Sequence, residues 1–375
     1  MDTPSFKEDH ISQIPALQLL QKLGYTYLSP LEAEKLRGGK TSNVLLEDII
    51  RSQLKRINSI RKSTTINAYF SDANIENGIR ALKELPMNEG YITASEAVYD
   101  LLTLGKALEQ NIDGDKKSFT LKYMDWETPE NNVFHVTEEF SVLRSMSKEH
   151  YRPDLVLFVN GIPLCVIECK RPDMKDPLKQ AISQHLRSQQ EGGIRGLYVY
   201  TQVLLSIATQ EATFATNATP EKFWNKWEEK FITNAEEQQY RVILSELKNQ
   251  PLANGQKEKL FQDRFRYVRS YFDSLDQAGT LPTTQDEYIY GLCRPERLLD
   301  LIFNNILFDN GIKKISRYQQ YFAVKKAMKR LLVVEGGRRK GGVIWHTQGS
   351  GKSLTMVMLA QAIALEKSIR NPKIF

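Results

Sequence analysis

The pair Asn160-Gly161 stands between two β-favouring runs, Asp154-Leu155-Val156-Leu157-Phe158-Val159 and Ile162-Pro163-Leu164-Cys165-Val166-Ile167-Glu168. Both central residues of a two-residue hairpin turn need positive φ, which Asn and Gly tolerate better than other residues. The pair therefore predicts an antiparallel hairpin, and the hairpin puts Asp154 and Glu168 on neighbouring strands. Strand alternation then places Glu168 and Lys170 on one face.

Pro153-Asp154, thirteen intervening residues, then Glu168-Cys169-Lys170 has the form of the PD-(D/E)xK nuclease motif. Two carboxylates converging at such a point repel one another unless a divalent cation lies between them, and hard oxygen ligands select Mg²⁺. A cation held there can polarise a phosphodiester and acidify a bound water, while Lys170 orients that water or stabilises the developing negative charge. The backbone carbonyl of Cys169 is a further expected ligand. The competing reading is a surface salt bridge of Glu168 with Lys170 or Arg171, since edge strands carry charges that block aggregation. Val156, Phe158, Val166 and Ile167 instead mark central strands, where a charged trio is costly unless it serves a metal or a partner.

A second motif lies near the other end. Val343-Ile344-Trp345-His346-Thr347-Gln348-Gly349-Ser350-Gly351-Lys352-Ser353 reads as a strand, a glycine-rich loop and a helix start. Gly349 and Gly351 let backbone N–H groups, together with that of Ser350, curl round a phosphate, and the helix N-terminus adds partial positive charge. Lys352 can reach the β- and γ-phosphates of ATP, and the Ser353 hydroxyl can ligate Mg²⁺. His346 stands where the strict pattern has glycine, as in superfamily 2 helicases and translocases, which this version resembles. Upstream, Arg317-Tyr318-Gln319-Gln320 resembles the glutamine-bearing motif of such motors, with Gln320 as the adenine reader. Between the phosphate loop and Phe375 there is neither the Asp-Glu pair such a motor needs nor second-lobe arginines, so efficient hydrolysis by this stretch alone is not expected.

Between these motifs the chain reads as alternating elements. Ile14, Leu17, Leu20 and Leu23, and again Leu45, Leu46, Ile49, Ile50, Leu54 and Ile57, recur at helical spacing. Phe119–Tyr123 and Asn132–Val136 read as strands. Asp176-Pro177 opens a helix to about Gln190, with Asp176 as N-cap. A strand is expected over Gly196–Val203, charged aromatic helices over 220–272, and a loop at Gly279–Thr284. Glu296–Phe308, Gln319–Leu332 and Lys352–Glu366 read as helices, and Gly341–Trp345 as a strand. The expected division is a first domain over 1–275, a linker over 276–288 and a second unit over 289–375.

With 375 residues, 26% of them charged, and no apolar run of about 20 residues, the chain excludes a membrane span and predicts two or three domains. Cys165, Cys169 and Cys293 are too few for a disulfide framework, and the start Met1-Asp2-Thr3-Pro4 lacks the features of a secretory signal, which points to the cytoplasm. Lys313 to Lys340 holds ten basic residues against the single acid Glu335. That asymmetry suits a phosphate backbone, and equally a solvated helix face with a basic loop. Trp224, Trp227 and Trp345 are expected in packing.

Taken together, the chain resembles the N-terminal part of the R subunit of type I restriction enzymes. The resemblance rests on Arg152-Pro153-Asp154 through Leu164, Ile167-Glu168-Cys169-Lys170, Arg294-Pro295-Glu296-Arg297-Leu298-Leu299-Asp300, Arg317-Tyr318-Gln319-Gln320 and the phosphate loop, with nuclease before motor. It implies an α/β fold: a restriction-endonuclease-like mixed sheet flanked by helices, followed by the start of a RecA-like lobe. It also implies Mg²⁺-dependent cleavage of double-stranded DNA coupled to ATP-driven translocation, with methyltransferase and specificity subunits as partners. By the resemblance Asp154 and Glu168 hold the metal, Lys170 is catalytic, and Lys352 and Ser353 serve ATP. The family carries a Gln-x-x-x-Tyr element; here Gln184 fits its glutamine but Ser188 stands where tyrosine belongs. Gln180 and Gln184 share a helix face that could meet DNA or order the metal site, or be a plain polar face. A non-enzymatic DNA-binding or assembly fragment, and a nuclease-helicase of a repair system, are the alternative functions.

Overall fold

The computed structural model describes residues 8–61, 67–345, 349 and 351–373. Its centre is one mixed sheet of six strands whose spatial order is their chain order. These are β1 (Thr26–Tyr27), β2 (Phe134–Glu138), β3 (Leu155–Val159), β4 (Ile162–Lys170), β5 (Val203–Ala208) and β6 (Glu211–Ala215). β1 with β2 and β4 with β5 run parallel, and the other neighbours antiparallel. The helices that matter for the site are α1 (Ile14–Lys22), α2 (Pro177–Ser188), α3 (Thr284–Cys293), α4 (Pro295–Asn304), α5 (Tyr318–Leu331) and α6 (Lys352–Leu365).

The expected hairpin is β3–β4, with Asn160 at φ 50° and Gly161 at φ 84°. Asn160 contributes more than its backbone. Its Oδ1 accepts from the Val133 N–H at 2.9 Å, and its Nδ2 donates to the Tyr123 carbonyl at 2.9 Å and to Asn132 Oδ1 at 2.8 Å. Gly161 is needed twice over, since a Cβ there would also lie 2.6 Å from the Leu46 carbonyl oxygen. Every residue of β4 is buried, which agrees with a strand flanked on both edges and covered on both faces.

Ile14, Leu17 and Leu20 are buried on α1, and Ile50 and Leu54 on the helix Glu47–Ile57, while Leu23 caps the first helix and Leu45 and Leu46 precede the second. They join a core that runs from the sheet through Ile289 of α3 to Leu298 and Ile302 of α4. A smaller cluster gathers Leu307, Val324, Met358 and Ala362.

Several expectations need correction. Asp176 precedes α2, but at φ 52° and without a side-chain cap; αR is disfavoured before proline, and Asp tolerates the left-handed region. The expected strand Gly196–Val203 is a helical turn, Arg195–Tyr198, and β5 only begins at Val203. A short apolar run such as Leu197-Tyr198-Val199-Tyr200 is buried either way, so its composition does not tell helix from strand. The helix expected over Glu296–Phe308 ends at Asn304, and Ile306–Asp309 pairs antiparallel with Ile312–Ile315. Its turn is a second Asn-Gly pair, Asn310 at φ 50° and Gly311 at φ 74°, a signal the leucine spacing obscured.

Gly341–Trp345 is not a strand; among the described residues no strand lies beside it to take its backbone hydrogen bonds. Trp345 is 91% exposed rather than packed, while Trp227 is buried and Trp224 packs against the core. The loop expected at Gly279–Thr284 forms over 279–283, between the helix Arg269–Ala278 and α3, and the flanking parts of the expected linker, 276–278 and 284–288, are helical. α3 is tied to the start of the chain: Ser12 Oγ donates to Gln285 Oε1 at 2.7 Å, and Gln285 Nε2 donates to the Ser12 carbonyl at 2.9 Å.

Candidate active site

Asp154 sits one residue before β3, and Glu168 and Lys170 end β4. The hairpin brings the three together. Asp154 Oδ2 accepts from the Cys169 backbone N–H at 2.7 Å and from Lys170 Nζ at 3.4 Å, while Lys170 Nζ also donates to the Cys169 carbonyl at 2.7 Å. Two further bonds fix the backbone here: Gln13 Nε2 and the Glu139 N–H both donate to the Asp154 carbonyl, at 3.0 and 3.1 Å. The edge salt bridge is excluded by topology. β4 lies between β3 and β5, Arg171 pairs with Asp173 at 3.2 Å, and Lys170 pairs with Asp154 and Glu8.

Glu168 is fully buried, and neither of its carboxylate oxygens has a hydrogen-bond partner. Burial, and then the neighbouring Asp154, push its carboxyl well above the usual range. Burial alone would lower the pKa of Lys170, but Asp154, Glu168 and Glu8 outweigh it and raise that pKa, so the ammonium stays charged. Buried polar atoms are rarely left orphaned, and two converging carboxylates are compatible only with a proton or a cation between them. The donor set would suit Mg²⁺, since Asp154, Glu168 and the Cys169 carbonyl all offer hard oxygens. Among the described residues no group of three or more His, Cys, Asp or Glu side chains is placed to hold a metal. The candidate centre is therefore two carboxylates and one carbonyl.

The glutamines of α2 stand apart from the acidic pair in their bonding. Gln180 is exposed and its Nε2 donates to the Lys175 carbonyl at 2.7 Å; Gln184 is half-buried. On the inner face of α2 lies a layer that sequence reading passed over. His185 Nε2 is 3.2 Å from the Leu205 carbonyl and its Nδ1 3.0 Å from Tyr198 Oη. A carbonyl only accepts, so Nε2 carries the proton and the Tyr198 hydroxyl donates to Nδ1. Burial holds this imidazole neutral, with its pKa lowered to about 3. Ser188 is buried on the same helix.

A second buried acid, Glu138 on β2, accepts from the Tyr27 hydroxyl at 2.9 Å and leaves its other oxygen unpartnered. Burial raises its pKa from 4.5 to about 7. A carboxyl whose folded pKa is raised binds its proton more tightly when folded, so stability is greatest below about pH 4.5 and falls as pH rises towards 7. At about 1.4 kcal/mol per pKa unit, the full cost at alkaline pH is roughly 3 kcal/mol. Glu138→Gln is expected to raise the melting temperature relative to the parent at pH 8 and to change it little at pH 5. Equal shifts at both pH values would refute this account.

In the phosphate loop, Gly349 and Gly351 take φ 80° and 79°, and α6 begins at Lys352. Ser350 and residues 346–348 lie outside the described residues. Lys352 and Ser353 are exposed, as ligand-facing groups at a helix N-terminus would be. Gln320 is buried, with Oε1 accepting from the Arg317 N–H at 2.8 Å and Nε2 donating to the Gly351 carbonyl at 3.1 Å. The residue expected to read adenine is here a strut under the phosphate loop. Arg317 Nε donates to Asn225 Oδ1 at 3.1 Å. The run of ten basic residues does not form one face. Lys313 is buried and donates to Ser95 Oγ and the Thr201 carbonyl, both at 3.1 Å, and Lys325 is paired with Asp300 at 2.6 Å.

Residues 5–223 match the family model described as the type I restriction enzyme R protein N terminus, and residues 319–375 match the SWI2/SNF2 ATPase. The chain is 27% identical to a putative type I restriction enzyme MjaIXP endonuclease subunit of Methanocaldococcus jannaschii, over 99% of this chain and 33% of that protein. It is also 27% identical to the type I restriction enzyme HindI endonuclease subunit of Haemophilus influenzae, over 98% of this chain and 31% of that one. The chain thus spans about a third of the length of these relatives. Glu8 and Gln13 are the site neighbours that no spacing in the sequence revealed, because more than a hundred residues separate them from Asp154.

Proposed function

The chain belongs to the type I restriction enzyme R-protein family, and from that premise we propose that it carries the endonuclease centre and the first nucleotide-binding elements of such an enzyme. One observation carries the reading: a fully buried Glu168 with both oxygens unpartnered, facing Asp154 and a charged Lys170. In this reading the sheet is the PD-(D/E)xK nuclease fold over 1–275, and a RecA-like lobe begins within 289–375. The two family matches fall on either side of the division.

Bound Mg²⁺ would supply Lewis acidity towards a phosphodiester oxygen and an acidified water. The protein's own groups do the rest. Asp154 and Glu168 would hold the metal, and the Cys169 N–H fixes the Asp154 carboxylate through its bond to Oδ2. Lys170 places positive charge where the pentavalent phosphorane develops negative charge. Gln13 and the Glu139 N–H lock the backbone that carries Asp154, which limits loss of geometry as the site loads. Gly349, Gly351, Lys352 and Ser353, with Ser350, would take the phosphates of ATP.

The proposed substrate is double-stranded DNA drawn in by ATP-driven translocation, in a cytoplasmic complex with methyltransferase and specificity subunits. The test uses the full-length subunit in its assembled complex with ATP and Mg²⁺. Unmethylated plasmid is expected to be linearised and plasmid methylated by the same system to survive. Equal cutting of both would move the protein to a repair nuclease-helicase, and no cutting of either would favour a binding or assembly role.

A further inference from the structure

Glu8 is an acid near the centre that no motif includes, and it pairs with Lys170. Its Oε1 lies 3.5 Å from Lys170 Nζ, although more than a hundred residues separate it from the nuclease motif. Its side chain is 35% exposed, against 9% for Lys170 and 10% for Asp154, so it stands at the mouth of the site rather than beneath it. The segment that carries it is anchored. Glu8 leads directly into a π-helical turn, Asp9–Gln13, a geometry concentrated at functional sites. That turn ends on Gln13, which grips the Asp154 carbonyl, and is held from behind by the paired Ser12–Gln285 bonds. One short element therefore sets both the backbone of Asp154 and the carboxylate beside Lys170.

The acceptors of Lys170 explain why this matters. Its ammonium has three: Asp154 Oδ2, the Cys169 carbonyl and Glu8. The first two are also the oxygens best placed to ligate a cation, next to the orphaned carboxylate of Glu168. Once those oxygens are committed, Lys170 keeps a single acceptor, and a desolvated ammonium without one is costly. Glu8 meets the centre through Lys170, its Oε1 lying 3.5 Å from that Nζ.

We infer that Glu8 is the positioning residue for Lys170: its carboxylate holds the ammonium at the mouth of the site, aimed at the incoming phosphodiester. The inference rests on the nuclease reading and adds a residue to it. Glu8 touches neither cation nor substrate and acts through Lys170 alone.

A double-mutant cycle of Glu8→Gln and Lys170→Met in the full-length subunit, within its assembled complex, tests this with two readouts, single-turnover DNA cleavage and Mn²⁺ affinity by electron paramagnetic resonance. Glu8→Gln is isosteric and lies at a partly exposed position, so the fold does not depend on it. In the parent background it is expected to slow cleavage by roughly 10–100-fold, the usual effect of losing an outer partner, with partial recovery in Glu8→Asp. In the Lys170→Met background it is expected to change neither cleavage nor Mn²⁺ affinity by more than about twofold. An equal loss of cleavage in both backgrounds would overturn the inference. So would weaker Mn²⁺ binding by Glu8→Gln in the Lys170→Met background, which would make Glu8 a metal ligand. Parent-like cleavage by Glu8→Gln overturns it while leaving the nuclease reading intact. If Lys170→Met itself cleaves at the parent rate, the nuclease reading fails and the inference with it.

Discussion

Asp154→Ala, or Lys170→Met, is expected to reduce DNA cleavage by the full-length complex by roughly a hundredfold to a thousandfold while ATP-driven translocation continues. The size follows from what each group supplies: removing one preorganised charge from a transition state in a dry site typically costs that much. Asp154→Ala removes a ligand oxygen, and it also strips the Cys169 N–H of its acceptor and Lys170 of one of its two carboxylate partners. Its loss should therefore exceed that of Lys170→Met and be accompanied by weaker Mn²⁺ binding, whereas Lys170→Met keeps the metal. Agarose-gel cleavage and triplex-displacement translocation on the same preparations separate the two activities. Parent-rate cleavage by both variants would remove the catalytic assignment altogether.

Lys352→Ala is expected to abolish translocation, with ATP turnover falling at least about a hundredfold, because the loop loses the lysine charge at its turn into α6. Lys352 is exposed and outside the sheet that carries the acids, so Mn²⁺ binding at the nuclease centre should be unchanged. Normal translocation by this variant would show that Gly349-to-Ser353 is not the nucleotide site.

Local signals made the nuclease hairpin readable. Asn160-Gly161 sets the turn by backbone sterics, and the pleat then puts Glu168 and Lys170 on one face whatever surrounds them. The same kind of signal at Asn310-Gly311 was hidden by Leu298, Leu299 and Leu301, whose helical spacing is real but stops at Asn304. Runs without a period failed more plainly. Leu197–Tyr200 is a buried helical end and turn, and Val343–Trp345 is neither paired nor covered, although both are apolar and β-favouring. A strand is completed by its neighbours, and propensity does not supply them.

Sequence alone determined the acid–acid–lysine trio and the glycine-rich loop, since each is fixed by contacts within a few residues or across one tight turn. Tertiary structure alone decided that Glu168 is buried without a partner, that Gln13 and Glu8 arrive from the start of the chain, and that Gln320 braces Gly351. Those facts depend on which distant segments pack together, and packing follows from burying apolar surface over the whole chain, which no local spacing encodes.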